Sequence, residues 1–378
     1  MQDIYEDIRP YTDAEVAEAL PKLAKGKLIA AAARYLYPDK DPDYLPNLIA
    51  SCKTTDELQE KVVAEVLYRN LKGTNSSLTH SGLENFTKSD GSIGAYVLLS
   101  THRDIVLDPA FVEYVLFTNG LPGTEISAGD NLLEMPEVEV TMRANRMVKV
   151  VRSDNPRVLY TASRHLSAYI RDKVTSGERS LWISHRGGRT KDGNDRTETG
   201  LLKMLDMSGQ GSFLENFSQL PIMPVTVSYE YETCGALKTL ELYRKAQQGF
   251  YKKQPGEDVN SMLQGFLQEK GRIQVSFCKP LSQDDLLRAD EGLHYNDKIR
   301  ILADILDEKL LASFKLWPTN YAAADMVKGT KEYLERGLYT LEDKEKLTAR
   351  LHKECEGMPE EIYPGLLKLY AAHLIESR

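Results

Sequence analysis

The sequence predicts an α/β protein with a mostly parallel sheet, helices on both faces, and helical segments at both ends of the chain. Short apolar runs alternate with helical patterns through the middle of the chain, and the helical patterns at 157–174 and 240–268 are the clearest. Such alternation is typical of parallel sheets that are covered on both sides. Residues 1–75, and the region from about 284 onward, show helical patterns without strands between them.

The predicted strands are short and largely apolar. The first is the run Tyr96–Leu99, which ends abruptly in polar residues; the others are 124–128, 147–152, 180–184, 222–229 and 272–277. Turn-forming residues at 75–77 and 88–92 place the start of the α/β region near residue 93. The predicted division is therefore a helical N-terminal segment (1–92), an α/β domain (93–283) and a helical C-terminal segment (284–378).

Length and composition indicate a globular protein with an anionic ligand. The 378 residues are 42% hydrophobic and 28% charged, which suits a large core. The net charge is −8, yet residues 143–196 carry 13 Lys and Arg against 5 Asp and Glu. A basic segment in an acidic chain favours a localised anionic ligand over nucleic acid, which usually requires a whole basic domain. Any single one of these cations could equally lie on a solvated helix face.

Several signals bear on compartment and cofactors. The N-terminus is acidic and lacks an apolar core, so we expect no signal peptide, and no apolar run approaches the ~18 residues of a spanning helix. We expect a cytoplasmic protein, and peripheral contact with the inner membrane face through 26–37 or 362–375 stays open. No spacing resembles a zinc site, so we predict no metal. The cysteines form no C-x-x-C pair and fit a reduced protein: Cys52, Cys234, Cys278 and Cys355.

The candidate general base is His102, which follows the first predicted strand. Open α/β sheets place their chemistry at the carboxyl ends of strands. Asp104 and Asp108 lie two and six residues further on, and either could orient the imidazole. A structural interpretation competes with this one. Asp108 followed by Pro109 is a good helix start, and Asp104 could cap a longer helix.

Three further stretches end where the predicted sheet would bring them close to His102. The first is a strand that finishes on an arginine, the second a strand followed by a glycine-rich basic loop, and the third a strand that prolines precede. In such a loop, backbone N–H groups and arginine side chains can approach an anion closely. The loop matches neither a P-loop nor a G-x-G-x-x-G fingerprint. The stretches are 145–153, 182–193 and 221–230.

In this order and spacing, the four stretches resemble the glycerolipid acyltransferases, the family of glycerol-3-phosphate 1-acyltransferases and lysophosphatidic acid acyltransferases. The family's blocks are a strand followed by H-x₄-D, a strand ending in arginine, the pattern E-G-x-R, and a strand preceded by proline. The resemblance covers about residues 95–230. It is greatest to the glycerol-3-phosphate 1-acyltransferase branch, in the fourth block and in the loop with Lys191 and Gly193.

The first block departs from the family pattern by one position. The family's spacing would put the aspartate at 107, where this chain has Leu107, and Asp108 comes one place later. On an ideal helix neither five nor six residues returns to the same face, so a loop-to-helix turn must bring the pair together, and it could absorb one residue. Asp108 is therefore our first candidate to orient His102, and Asp104 is the second.

The third block lacks the family's glutamate, because Arg186 and Gly187 stand at the aligned positions. If that carboxylate binds substrate hydroxyls or braces the loop, its loss would weaken activity or change the acceptor. A catalytically impaired relative that binds lipid or acyl-carrier protein is therefore the alternative to an enzyme.

The resemblance implies an acyltransferase of phospholipid synthesis. It would move a fatty acyl group from acyl-CoA or acyl-carrier protein to a hydroxyl group of glycerol-3-phosphate or a lysophospholipid. His102 would take the hydroxyl proton while an aspartate holds its tautomer. The thioester is a co-substrate, so no cofactor is expected. The residues implied to bind substrate are Arg103, Arg152, Gly187, Gly188, Arg189 and Lys191.

Overall fold

The computed structural model describes residues 3–132, 136–254 and 256–375. They form a seven-stranded sheet of strands β1 (Ser77–Ser81), β2 (Val97–Ser100), β3 (Glu125–Gly129), β4 (Met147–Val150), β5 (Leu181–Ser184), β6 (Ile222–Tyr229) and β7 (Arg272–Phe277). The strand order is β1-β7-β6-β2-β5-β3-β4. Within these residues, every neighbouring pair is parallel except β6 and β7. The predicted fold class is confirmed.

Helices connect the strands of this sheet, and further helices lie before β1 and after β7 in the chain. Before β2 they are Asp13–Leu23, Lys27–Leu36, Tyr44–Ser51, Thr55–Leu58, the π-helical Gln59–Val63, Ala64–Gly73 and the 3₁₀ turn Leu83–Phe86. Between β2 and β7 they are Leu107–Thr118, the 3₁₀ turn Asp130–Leu132, Pro136–Ala144, Pro156–Thr175, Thr199–Asp206, Phe213–Ser218, Gly235–Gln248 and Glu257–Leu267. After β7 they are Gln283–Asp290, Tyr295–Ser313, Pro318–Lys328, Glu332–Glu335, Leu341–Glu354 and Ile362–Ile375.

Alternate side chains of the strands pack into two different apolar cores, one on each face of the sheet. Val97 and Leu99 of β2 face one apolar cluster, which includes side chains of helices Pro156–Thr175 and Tyr295–Ser313. Leu98 faces the other cluster, together with helix Leu107–Thr118. The two-residue period of a strand therefore accounts for a sheet that is buried on both faces.

The sequence pattern missed β1 and merged two helices. β1 is a polar edge strand whose residues are mostly exposed, so its sequence carries no apolar run and main-chain pairing with β7 defines it. The predicted helix 240–268 is two helices, Gly235–Gln248 and Glu257–Leu267. Gly249 and Gly256, both with positive φ, separate them. That predicted helix also covers residue 255, and the predicted terminal segments cover 1–2 and 376–378, all outside the described residues. The three-segment division of the chain stays a prediction.

Two further apolar cores are built mainly from the helices near the two ends of the chain, together with Ala144 and Ala236 from its middle part. Val16, Leu20 and Leu45 belong to the N-terminal core, and Leu366 and Ala371 of helix Ile362–Ile375 are fully buried in the C-terminal one. Helix Lys27–Leu36, in contrast, leaves Leu28 and Tyr35 exposed. None of the described helices combines the length and apolar character needed to cross a bilayer.

Candidate active site

The candidate site lies at the carboxyl edge of the central strands. β2 is flanked by β6 and β5, and all three run in the same direction, so the chain segments that follow them meet at one edge. His102 comes two residues after β2, and Gly187 three residues after β5. The two segments are tied together, because the backbone N–H of Thr190 donates to the carbonyl oxygen of His102 at 2.7 Å.

Asp108 lies beside the imidazole of His102. The distance from His102 Nδ1 to Asp108 Oδ2 is 3.2 Å, which fits a hydrogen bond from Nδ1–H to the carboxylate. The carboxylate is fully buried, whereas the His102 side chain keeps 14% of its surface exposed. With Nδ1 occupied, Nε2 is the ring nitrogen that remains to take a proton.

Three further donors fix the Asp108 carboxylate. Oδ2 accepts from the backbone N–H groups of Arg103 and Asp104, and Oδ1 accepts from the hydroxyl of Tyr229 at 2.7 Å. Burial and the nearby carboxylates of Asp108 and Asp104 raise the pKa of Tyr229 well above 10, so this hydroxyl stays protonated and donates. A buried carboxylate with four donors is compensated for its loss of hydration.

Asp104 has the role of a helix cap. Its Oδ1 accepts from the backbone N–H groups of Val106 at 3.0 Å and Leu107 at 2.9 Å, at the start of helix Leu107–Thr118. Asp108 lies inside the first turn of that helix. The structure thus places Asp108, our first candidate, against the imidazole of His102. Asp104, the second candidate, instead binds the backbone at the start of helix Leu107–Thr118. The catalytic role of the pair stays a prediction.

His102 opens into a large cavity of about 1370 Å³. Pockets for drug-sized ligands usually measure roughly 300–1,000 Å³, so this cavity admits a longer molecule. Its wall combines side chains from the N-terminal helices, helix Leu107–Thr118, and helix Glu257–Leu267. Among its many apolar lining residues are Val63, Leu67, Ala110, Tyr114, Ile126, Met142, Leu166, Trp182, Met204 and Phe266.

Polar residues of the second and third blocks line the same cavity. They include Arg152 after β4, and Arg186, Gly187 and Gly188 after β5. Arg152 is exposed, and its backbone N–H donates to Asp130. Gly188 has a φ of 80°, a conformation that favours glycine. His102, Arg152, Gly187 and Gly188 are therefore the predicted site residues that the structure brings together around one cavity, and Arg186, which was not predicted, joins them.

Arg103 points away from this cavity into a buried network of charges. Its guanidinium pairs with Asp195 and, at 3.4 Å, with Glu232, and it donates to the carbonyl oxygen of Gly193. Burial alone would lower the pKa of Arg103, but the two carboxylates raise it above its ordinary value. His373 of the last helix completes the network, 3.2 Å from Asp195.

Two more predicted cations also lie outside the cavity lining. Arg189 is buried, and it donates to Ser261 Oγ at 3.3 Å under helix Glu257–Leu267. Lys191 is ion-paired with Glu241 of helix Gly235–Gln248. Burial lowers the pKa of Lys191, and Glu241 opposes that effect. As folded here, neither cation is presented to a molecule beside His102.

Sequence reasoning missed two side chains at this edge. Tyr229 was predicted only as part of a strand, although it holds Asp108. Glu198 carried no signal at all, because its position depends on how the loop after β5 folds back. Its Oε2 accepts from the backbone N–H of Gly187 at 3.0 Å, and it lines the cavity.

A histidine–aspartate pair at the carboxyl edge of an α/β sheet, beside a large and mostly apolar cavity, defines a class of site that suits proton transfer on a molecule with an apolar part. No family model matches the chain. The glycerol-3-phosphate acyltransferase of Pseudomonas syringae pv. tomato is 29% identical over 198 residues, 52% of this chain and 22% of that protein. The protein of that name from Pseudomonas aeruginosa is 29% identical over 194 residues, 50% of this chain and 22% of its own length.

These matches cover about a fifth of the length of the curated relatives. The crystal structure of the 1-acyl-sn-glycerophosphate (LPA) acyltransferase from Thermotoga maritima aligns at a TM-score of 0.41 and 11% identity, over 78% of this chain and 94% of that one. Over about half of its residues, this chain is thus related in sequence to glycerolipid acyltransferases, and the resemblance that its motifs predicted is confirmed.

The Arg103 network predicts a structural rather than a substrate-binding effect of mutation. Arg103→Ala leaves the buried Asp195 without its main cation, whereas Glu232 keeps its ion pair with the buried Lys238, so the free energy of unfolding should fall by about 3–5 kcal/mol in urea titrations. Arg288→Ala removes an exposed ion pair with Glu308 and should cost about 1 kcal/mol or less. An Arg103→Ala protein of full stability would contradict this account.

His185 predicts a stability that depends on pH. It is fully buried, and burial lowers its pKa to about 4 from 6.5, while Nδ1–H donates to the carbonyl oxygen of Ser100 at 2.8 Å. The unfolded chain therefore binds this proton below about pH 6.5 and the folded protein only near pH 4. As the pH falls from 6.5 to 4, His185 should cost about 3 kcal/mol of unfolding free energy.

Urea titrations across this pH range, on wild type and His185→Asn, measure that contribution, because the Asn amide keeps a donor near the position of Nδ1. The stability difference between the two proteins should change by about 3 kcal/mol across the window. Parallel pH profiles would show that His185 is not the group responsible.

Proposed function

We propose that this protein transfers a fatty acyl group from a thioester to a hydroxyl group of a phosphorylated glycerol acceptor, glycerol-3-phosphate or a lysophospholipid. The observation that carries the proposal is the His102–Asp108 pair at the wall of the large, mostly apolar cavity. The sequence similarity to proteins named glycerol-3-phosphate acyltransferase supports it. Phospholipid synthesis is the setting that this chemistry implies.

In the proposed reaction His102 is the general base. Nε2 takes the proton of the acceptor hydroxyl as its oxygen attacks the thioester carbonyl, and Asp108 stabilises the imidazolium that forms. When the tetrahedral intermediate collapses, the carbon–sulfur bond breaks and the thiolate takes the proton back from Nε2. The products are the ester and a free thiol, and no acyl-enzyme is needed.

The cavity separates the two substrates by polarity. The apolar wall accommodates the acyl chain, since each buried methylene gains about 0.8 kcal/mol on leaving water. The acceptor phosphate lies at the polar end, where Arg152 and Arg186 supply cations and the Gly187–Gly188 turn brings main chain close. Arg103, Arg189 and Lys191 bind other protein groups instead of the substrate. They stabilise the loops that form the polar end of the cavity.

The test of this function is thiol release from a long-chain acyl-CoA or acyl-carrier protein, with and without glycerol-3-phosphate. Wild type should release thiol only with acceptor present, and His102→Ala should be at least about 100-fold slower, because it lacks the base. His165→Ala is the matched control, because that imidazole lies on helix Pro156–Thr175 beside Asp7 and outside the cavity lining.

Equal rates in His102→Ala and wild type would overturn the mechanism. Acyl-CoA binding by a wild-type protein that releases no thiol, with these acceptors or with a lysophospholipid panel, would favour the catalytically impaired relative instead.

The rim of the cavity suggests how the substrates arrive. Six apolar side chains both line the cavity and stand more than a third exposed: Leu28, Val106, Phe117, Leu159, Val259 and Leu263. The exposed cation Arg157 lies two residues before Leu159 on helix Pro156–Thr175. This rim fits the surface of an anionic bilayer, which would deliver the apolar substrate directly into the cavity.

Sedimentation with vesicles tests this membrane contact. Wild type should bind vesicles that contain an anionic phospholipid more tightly than neutral ones, and added salt should weaken the binding. The double variant Val259→Ser/Leu263→Ser should bind less than Leu293→Ser, which alters a side chain that is 89% exposed and does not line the cavity. Equal binding of the two variants, or none by wild type, would exclude this rim as the contact surface.

A further inference from the structure

The loop after β5 contains a carboxylate in an unexpected place. In the E-G-x-R pattern the carboxylate precedes the first glycine, and this chain has Arg186 there. The guanidinium of Arg186 turns toward the carbonyl oxygen of Asn194, 3.4 Å away. Glu198, twelve residues further along, instead brings its Oε2 to within 3.0 Å of the backbone nitrogen of Gly187.

Main-chain hydrogen bonds hold Glu198 at this position. Its own N–H donates to the carbonyl oxygen of His185 at 2.9 Å, and the N–H of His185 donates to the carbonyl oxygen of Ser100 at 2.8 Å. The next residue back, Thr197, is buried, and its N–H donates to Asp307 at 2.8 Å. The backbone of Glu198 is therefore linked through His185, the residue after β5, to Ser100 at the end of β2, two residues before His102.

The side chain of Glu198 is accessible from the cavity. It lines the same cavity as His102, Arg152, Arg186 and Gly188, and it is exposed to solvent at that edge. A carboxylate has two oxygens with about four acceptor positions, and the bond from Gly187 uses one of them. The remaining positions are available to a hydroxyl group of a molecule bound between His102 and the arginines.

We infer that Glu198 is the acceptor-positioning carboxylate of this protein and takes the place of the glutamate that the third block lacks. It holds the Gly187–Gly188 turn with one oxygen. It accepts a hydrogen bond from a hydroxyl of the glycerol acceptor with the other, which places the acceptor for attack. Glu198 is a positioning residue and transfers no proton. The inference rests on the proposed function, because it names a residue that binds the acceptor of that reaction.

Steady-state kinetics of Glu198→Gln and Glu198→Ala separate positioning from simple bracing. A glutamine oxygen still accepts from Gly187 N–H, so Gln keeps the brace and loses the charge, whereas Ala loses both. Positioning predicts that both variants raise the KM for glycerol-3-phosphate about tenfold or more, with the KM for acyl-CoA unchanged. Glu308→Gln, an exposed residue in another helix, controls for the change of charge.

Two results would overturn the inference. If Glu198→Gln behaves as wild type, the carboxylate is only a brace or has no role, whatever Glu198→Ala does. The second is a Glu198→Gln variant whose KM for acyl-CoA rises as much as its KM for glycerol-3-phosphate. In that case the carboxylate braces the loop for both substrates, and Glu198 does not position the acceptor.

The same experiment distinguishes failure of the inference from failure of the proposed function. If wild type is active and Glu198→Gln has the same kinetics, the proposed acyltransferase function stands and the role assigned to Glu198 is wrong. If wild type shows no thiol release that depends on glycerol-3-phosphate, the proposed function is wrong, and so is the inference that rests on it.

Discussion

The buried carboxylate of Asp108 is the constraint on which the rest of the site depends. A charge without water must be matched by donors, and here the donors come from three directions: the imidazole of His102, the main chain at 103 and 104, and the hydroxyl of Tyr229 from β6. The turn after β2 is folded around this one group. His102 is therefore oriented by the same interactions that close the turn, and its side chain lines the cavity.

The C-terminal segment contributes to this edge although it lies far from it in sequence. Arg103, next to His102, is anchored to Asp195 after β5, and His373 of the last helix contacts both side chains. The hydroxyl of Tyr370 accepts from the backbone N–H of Glu232, the second carboxylate of the network. Four parts of the chain thus meet at one set of buried charges, which holds the turn after β2 against the loop after β5. Such a rigid support suits a site whose geometry must be held closely.

Local patterns predicted much of the fold, and distant contacts decided the rest. The bounds of β6 and β7 matched the prediction, and each of these strands begins directly after a turn-forming residue, Pro221 or Gly271. β1 was not predicted, because its sequence has no apolar pattern and only its main-chain pairing with β7 defines it as a strand. The spacing of His102 and Asp108 predicted a pair assembled by a turn, but the choice between Asp108 and Asp104 needed the turn itself. Arg103 and Lys191 looked like substrate ligands because their carboxylate partners lie 50 to 129 residues away.

The most direct test of this account is the tautomer of His102 in the folded protein. ¹⁵N NMR of histidine-labelled protein, with His102→Gln to assign the signal among the seven histidines, reports which ring nitrogen carries the proton. The hydrogen bond to Asp108 predicts that Nδ1 carries the proton, and Asp108→Asn should abolish that preference. A proton on Nε2 in the wild-type protein would contradict it, because the nitrogen assigned as the base would already be occupied.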